Sequence, residues 1–203
     1  MSGPELHLIS DGKKTLTQFA KIAAEVQSFV THFHLREKAK SAKEIWDGIQ
    51  ILLKLGIPKE KIVVNDRVDL ALAANVSGVQ LAYHSLEPQF VRQRFPQLRI
   101  GCSVHSEQEA MEMERQQADY VIYGHIFESG SKQGLEGRGI EALASVVNSV
   151  RIPVIAIGGI SPINVPLVLQ AGAAGIAVMS GILDHVDPTA VAEQYALALR
   201  MQR

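Results

Sequence analysis

Pro153-Val154-Ile155-Ala156-Ile157-Gly158-Gly159 is the stretch whose reading decides the fold. Pro153 to Ile157 is an apolar run that reads as a strand, and the two glycines end it. Ser161-Pro162 then opens a helix with proline at its first position. The same unit follows at once. Gly175 to Met179 is a strand, Ser180-Gly181 its end, and Asp187-Pro188 the start of the last helix.

Upstream the unit recurs. Leu6 to Ser10, Phe33 to Leu35, Lys61 to Asn65, Gly78 to Leu81, Arg99 to Ser103 and Tyr120 to Tyr123 read as strands. Helical spacing follows each. Leu16, Phe19, Ile22, Ala23, Val26 and Phe29 share one face. Ser41-Ala42-Lys43-Glu44 is a capping box for a helix that Gly56 and Pro58 end, and Ser106-Glu107-Gln108-Glu109 is a second. Val68 to Ala74, Pro88 to Phe95 and Ile140 to Val150 complete the helices. Strand then helix, about every 25 residues, demands parallel strands with helical crossovers. Eight units predict an α/β fold, a single (β/α)8 TIM barrel over 1–203, with a doubly wound open sheet as the alternative.

The 203 residues can bury a sizeable core. A net charge of −1 argues against nucleic-acid binding, which needs concentrated positive charge. Cys102 stands alone, so neither an intrachain disulfide nor a cysteine metal site can form, and mid-strand it reads as core. Met1-Ser2-Gly3-Pro4 lacks the features of a secretory signal, and no apolar run approaches the roughly 20 residues of a bilayer span. The expectation is a cytoplasmic protein with no membrane partner.

In such a barrel, chemistry sits on the loops after the strands. Those positions are polar here: Ser10 and Asp11, Arg36 and Lys38, Asn65 and Asp66, Tyr83 to Ser85, Ser103, His125, Gly158 and Gly159, Ser180 and Gly181. Gly158-Gly159 and Ser180-Gly181 end the seventh and eighth strands, where barrels often hold phosphate on free backbone N–H groups. The plain alternative is tight turns. His34, Arg36 and Lys38 alternate, so they share one face, and two cations there suit an anionic group or a solvated run equally. Asp66 suits Mg²⁺ or, more simply, a helix cap. His7 and His32 have no evident partner and read as structural; His105, beside a capping serine, reads as surface. His125 opens the long glycine-rich loop from Gly124 to Gly139, where a histidine can exchange protons near neutral pH or only bond loop backbone.

Several motifs in order resemble the thiamine phosphate synthase superfamily. They are Leu35-Arg36-Glu37-Lys38, Asn65-Asp66-Arg67-Val68-Asp69-Leu70-Ala71-Leu72-Ala73, Gly101-Cys102-Ser103-Val104-His105-Ser106, Ala118-Asp119-Tyr120, Ser129-Gly130-Ser131-Lys132, Pro153 to Ile160, and Ala177-Val178-Met179-Ser180. The resemblance implies a (β/α)8 barrel. In the synthases, which join a pyrimidine pyrophosphate to a thiazole phosphate, two acidic positions hold Mg²⁺. Asp66 matches the first, and Ser85 stands at the second. His34 stands where the synthases carry glutamine, and His125 where they carry proline.

Those departures resemble the TenI-type thiazole tautomerases, on Ile9-Ser10-Asp11-Gly12-Lys13, His34-Leu35-Arg36-Glu37-Lys38 and Tyr123-Gly124-His125-Ile126-Phe127-Glu128. The expectation that follows is a cofactor-independent isomerase of thiamine biosynthesis. It would convert a non-aromatic carboxythiazole phosphate to the aromatic thiazole, with catalytic His125 moving the protons and no metal. Gly158, Gly159, Ser180 and Gly181 would bind the phosphate, and Arg36 or Lys38 the carboxylate. Asn65, Ser103, Ser129, Ser131 and Lys132 complete the substrate-binding set, the last four matching synthase pyrophosphate positions. The partner is a phosphorylated thiazole, with a homodimer allowed. Two readings stay beside it: a Mg²⁺-dependent thiamine phosphate synthase, and a non-enzymatic TenI-like regulator.

Overall fold

Strand β8 (Gly175–Val178) pairs with β1 (Glu5–Ile9), Glu5 opposite Gly175 and Leu8 opposite Val178, and that pairing separates a closed barrel from an open sheet. Between them β2 (His32–Leu35), β3 (Ile62–Asn65), β4 (Gly78–Leu81), β5 (Arg99–Val104), β6 (Tyr120–Gly124) and β7 (Val154–Ile157) follow in sequence order, every pair parallel. The computed structural model describes residues 3–128 and 134–201. The protein is an α/β fold, a single (β/α)8 barrel, as the alternation predicts. Among the described residues no helix is long and apolar enough to cross a membrane.

The helices α1 (Leu16–Val26), α2 (Ala42–Lys54), α3 (Val68–Ala73), α4 (Pro88–Arg94), α5 (Glu107–Arg115), α6 (Gly139–Ser149), α7 (Val165–Gln170), α8 (Ser180–Leu183) and α9 (Pro188–Arg200) wrap the strands. Ser41 and Glu44 form the full capping box of α2. At α5 the box is half made. Ser106 Oγ accepts from Glu109 N–H, but the Glu109 carboxylate takes the N–H of His105 instead. Pro162 does not start α7, because Asn164 Oδ1 accepts Ser161 N–H while its Nδ2 donates to Gly159 O. That bonded turn delays the helix to Val165.

Strand side chains alternate between two cores. Phe33, Leu35 and Val64 face outward and are fully buried with Phe19, Ile49 and Leu52 of the helices. Inside the barrel Ile9, Tyr120, Ile122, Ile155 and Ala177 form a smaller apolar cluster. The rest of the interior is polar: His7, His34 and Gln80 are all buried, and Gln80 Nε2 donates to Ser103 Oγ at 3.1 Å. Cys102 is buried, and burial pushes its thiol up to about 12, so it is inert core.

Gly101 is where the two halves of the interior meet. A Cβ there would lie 2.2 Å from Tyr120 Cζ and 2.3 Å from Gln80 Oε1, both on fully enclosed side chains. Gly101→Ala is expected to cost about 1–3 kcal/mol by overpacking, read as a lower urea midpoint at unchanged slope. A midpoint equal to that of the wild type would mean that Tyr120 can move.

Candidate functional site

Parallel pairing puts the C-terminal ends of all eight strands at one end of the barrel, so the polar strand-end residues share that rim. Ser10 Oγ accepts the backbone N–H of Arg36 at 2.9 Å and ties the first rim loop to the second. The half-buried Arg36 and the exposed Lys38 make no side-chain hydrogen bond or ion pair among the described residues. Glu37, buried between them, pairs with Lys40 at 3.0 Å. Two cations on this loop are therefore uncommitted.

Asp66 is not the helix cap that its position suggests. Helix α3 has no side-chain cap bond, and Asp66 sits at φ 65 with an exposed carboxylate. The left-handed backbone costs a non-glycine residue roughly a kcal/mol or more, and it turns a free carboxylate out at the rim. Ser85 lies at the next loop, where its Oγ accepts Ala82 N–H at 2.9 Å. Tyr83 beside it is 97 % exposed.

Gly158 and Gly159 have φ of 102 and 63. A Cβ on Gly158 would sit 2.3 Å from His125 Cβ, and one on Gly159 2.3 Å from Glu128 O. Gly181 is held likewise against Tyr195 Oη. The protein's own loop packing thus requires these glycines, which the expectation of a close phosphate had explained differently. The anion-binding capacity lies in the donors. The N–H groups of Gly159 and Ile160 meet no acceptor among the described residues, and those of Ser180 and Gly181 begin α8.

His125 is 8 % exposed, and its Nε2–H donates to Leu135 O at 3.3 Å. Arg138 N–H returns to His125 O, and Gly139 N–H to Ile126 O, so the chain just before α6 lies against the start of the loop. Its Nδ1 is buried and meets no partner among the described residues. The local bonds are those of a histidine engaged with loop backbone. Ser129, Ser131 and Lys132 lie outside the described residues. Ser103 and Asn65 are half-buried on the strand ends, with Ser103 already bonded to Gln80.

A cluster that the sequence reading missed lies at the opposite end of the barrel. Glu5, His7 and His32 form the one group of histidine and carboxylate atoms, among the described residues, close enough to share a metal ion. Arg99 already fills the cation's place. It donates to both Glu5 oxygens at 2.9 and 3.0 Å and to His32 Nε2 at 2.6 Å, and its guanidinium lies 4.5 Å from the Tyr120 ring centre. The signal was present in the sequence as period-2 pairs, Glu5 with His7 and His32 with His34, which an interior-facing polar row requires. Burial, then Arg99, pulls His7 down to about 3; burial, then His7 and Arg99, does the same to His32.

A family model described as thiamine monophosphate synthase matches residues 6–182. The thiamine-phosphate synthase of Pyrococcus horikoshii is 36% identical over 184 residues, covering 90% of this chain and 88% of that protein. The thiamine-phosphate synthase of Chlorobium phaeobacteroides is 40% identical over 157 residues, 76% of each. A solved thiamine phosphate pyrophosphorylase of Pyrococcus furiosus superposes with a TM-score of 0.83 at 32% identity, covering 96% of this chain and 95% of that one. These relatives are named synthases, not tautomerases. That overturns the expectation of a thiazole tautomerase and of an isomerase, which rested on His125, His34 and Ser85. In the structure His125 is largely buried and its Nε2–H is spent on the backbone carbonyl of Leu135.

Proposed function

The chain belongs to the thiamine monophosphate synthase family, and from that premise we propose that it forms thiamine phosphate by joining a pyrimidine pyrophosphate to a thiazole phosphate with loss of pyrophosphate. One observation carries the reading beyond the likeness. The rim has two separate sets of uncommitted anion-binding groups, the Arg36 and Lys38 side chains after β2 and the backbone donors after β7 and β8. A reaction between two phosphorylated substrates needs two such places.

In this reading the substrate diphosphate lies on Arg36 and Lys38, where the guanidinium fork and the ammonium offset charge as the leaving group gathers it. The thiazole phosphate takes the N–H groups of Gly159, Ile160, Ser180 and Gly181. Ser10 holds the Arg36 backbone, and so sets where the fork starts.

The family implies Mg²⁺, and the donor set here is reduced. Asp66 is a free carboxylate on a backbone turned outward, while Ser85 offers a neutral hydroxyl already engaged with Ala82. One carboxylate together with substrate phosphate oxygens is a set that Mg²⁺ accepts. Asp66 would hold the ion, and the ion would offset charge on the diphosphate. The expected consequence is that Mg²⁺ binds only with its anion. Calorimetry should show no Mg²⁺ heat with protein alone, a binding isotherm once pyrophosphate is present, and its loss in Asp66→Asn. Tight Mg²⁺ binding by the protein alone would contradict a single-carboxylate site.

The deciding assay mixes protein, pyrimidine pyrophosphate, thiazole phosphate and Mg²⁺ and follows thiamine phosphate by chromatography. Product above the protein-free rate supports the reading. Its absence, with folded protein and both substrates intact, ends it.

A further inference from the structure

Below the candidate site runs a line of buried hydrogen bonds whose direction a single carboxylate dictates. Glu5, paired with Arg99, can only accept. His7 Nε2 lies 2.6 Å from Glu5 Oε2, so Nε2 carries the proton of that ring. Arg99 already balances Glu5, and a second positive charge in the closed interior is opposed by burial, so His7 is neutral and its Nδ1 is a bare lone pair. That lone pair is 2.8 Å from His34 Nε2, which must therefore donate. His34, fully buried and held neutral by burial, is left with a bare Nδ1, and no donor meets it as the side chains stand.

His34 lies opposite Val63 on the neighbouring strand, so Asn65, two residues further along β3, faces the same interior beside it, and its Oδ1 is also buried without a partner. Two acceptors side by side repel. An amide exchanges its oxygen and nitrogen by a half-turn, and with His7 neutral and His34 protonated on Nε2 the turned arrangement satisfies both groups, with Nδ2–H on His34 Nδ1. Oδ1 then stands on the half-exposed side of Asn65, at the rim end of β3.

We infer that Glu5 and His7, at the far end of the barrel, are positioning residues that act through His34 to hold the Asn65 carbonyl oxygen toward the candidate site. Asn65 then takes an N–H or O–H donor of the substrate and not a phosphate oxygen. The ligand half of this inference rests on the proposed function; the bonding order does not. Glu5 and His7 are separated from Asn65 by about 60 residues of chain, and only barrel closure lines them up.

Long-range proton–nitrogen correlation on full-length protein with ¹⁵N-labelled histidine reads the order without substrate. At pH 7 both His7 and His34 are expected to carry their proton on Nε2 and a bare Nδ1. A doubly protonated His7, or a His34 proton on Nδ1, overturns the inference. Glu5→Gln replaces an acceptor-only group by one that can also donate, so His34 is expected to lose its single tautomer. KM for the substrate that meets Asn65 should rise about tenfold with kcat little changed. A folded Glu5→Gln with unaltered His34 signals and KM overturns the positioning role. Should that variant not fold, Asn65→Asp tests the last link, since a carboxylate cannot donate and must draw a proton onto His34 Nδ1. An unchanged His34 in Asn65→Asp overturns it too. The wild-type tautomer pattern in a protein that makes no thiamine phosphate would support the relay while ending the functional reading.

Discussion

Lowering the pH from 7 to 5 is expected to remove about 4 kcal/mol of folding stability through His7 and His32, a large part of the net stability of a domain, with His34 acting in the same direction. His7 and His32 are lowered to about 3, first by burial, and His34 well below its ordinary value for the same reason. In the unfolded chain each titrates near 6.5. Between those limits the unfolded state binds more protons, so stability rises with pH and is lost as pH falls below 6.5. His7 and His32 each contribute about 1.4 kcal/mol per pH unit across that window. The groups facing them are Glu5, Arg99 and Lys61, of which only Glu5 opposes the shift. Urea titrations at pH 7, 6 and 5 should give a slope of nearly two protons from His7 and His32, steepened by His34, and falling by about one in His32→Gln. Stability that stays flat to pH 5 would mean that the barrel interior admits water or a proton shared with Glu5. Unfolding driven by carboxylates alone would begin below pH 4 or so, where Asp and Glu titrate.

Arg36→Ala is expected to lower kcat/KM for thiamine phosphate formation about a hundredfold, with the melting temperature unchanged. The guanidinium makes no bond among the described residues, so its removal leaves the fold's own contacts intact. What is lost is a bidentate partner for a group whose negative charge grows as the C–O bond breaks. The loss should therefore fall mainly on kcat, with a smaller rise in KM for the pyrophosphate substrate. Arg36→Lys keeps the charge without the fork and should recover only part of the rate. Steady-state rates at saturating and limiting substrate separate these cases. A wild-type rate in Arg36→Ala would remove the β2 loop from the site and leave the substrate diphosphate without its stated partner.

The rim residues were legible because strand-end position follows from the strand–helix alternation, and polarity at those ends stands out against apolar strands. Individual roles were less legible. Asp66 looked like a cap until the α3 start showed no cap bond and a left-handed backbone. Gly158 and Gly159 looked like anion-facing glycines, and their Cβ positions turned out to be filled by His125 and Glu128. His125 stood at a strand end with no partner evident in the sequence, and in the structure its Nε2–H meets Leu135 O while its backbone carbonyl takes Arg138 N–H.

Local periodicity is a property of neighbouring residues, so the sequence by itself determined the eight strands and most helices and caps, and favoured the barrel that the pairing of β8 with β1 closes. Which polar side chains meet inside it is a property of closure. Glu5 and Arg99 are 94 residues apart, and His7 and His34 are 27 apart. Only the tertiary structure brings them within hydrogen-bonding distance. The same closure decides that a histidine at the foot of β1 sets the orientation of an amide at the rim of β3, because the low-dielectric interior leaves each buried group few partners and obliges it to use them.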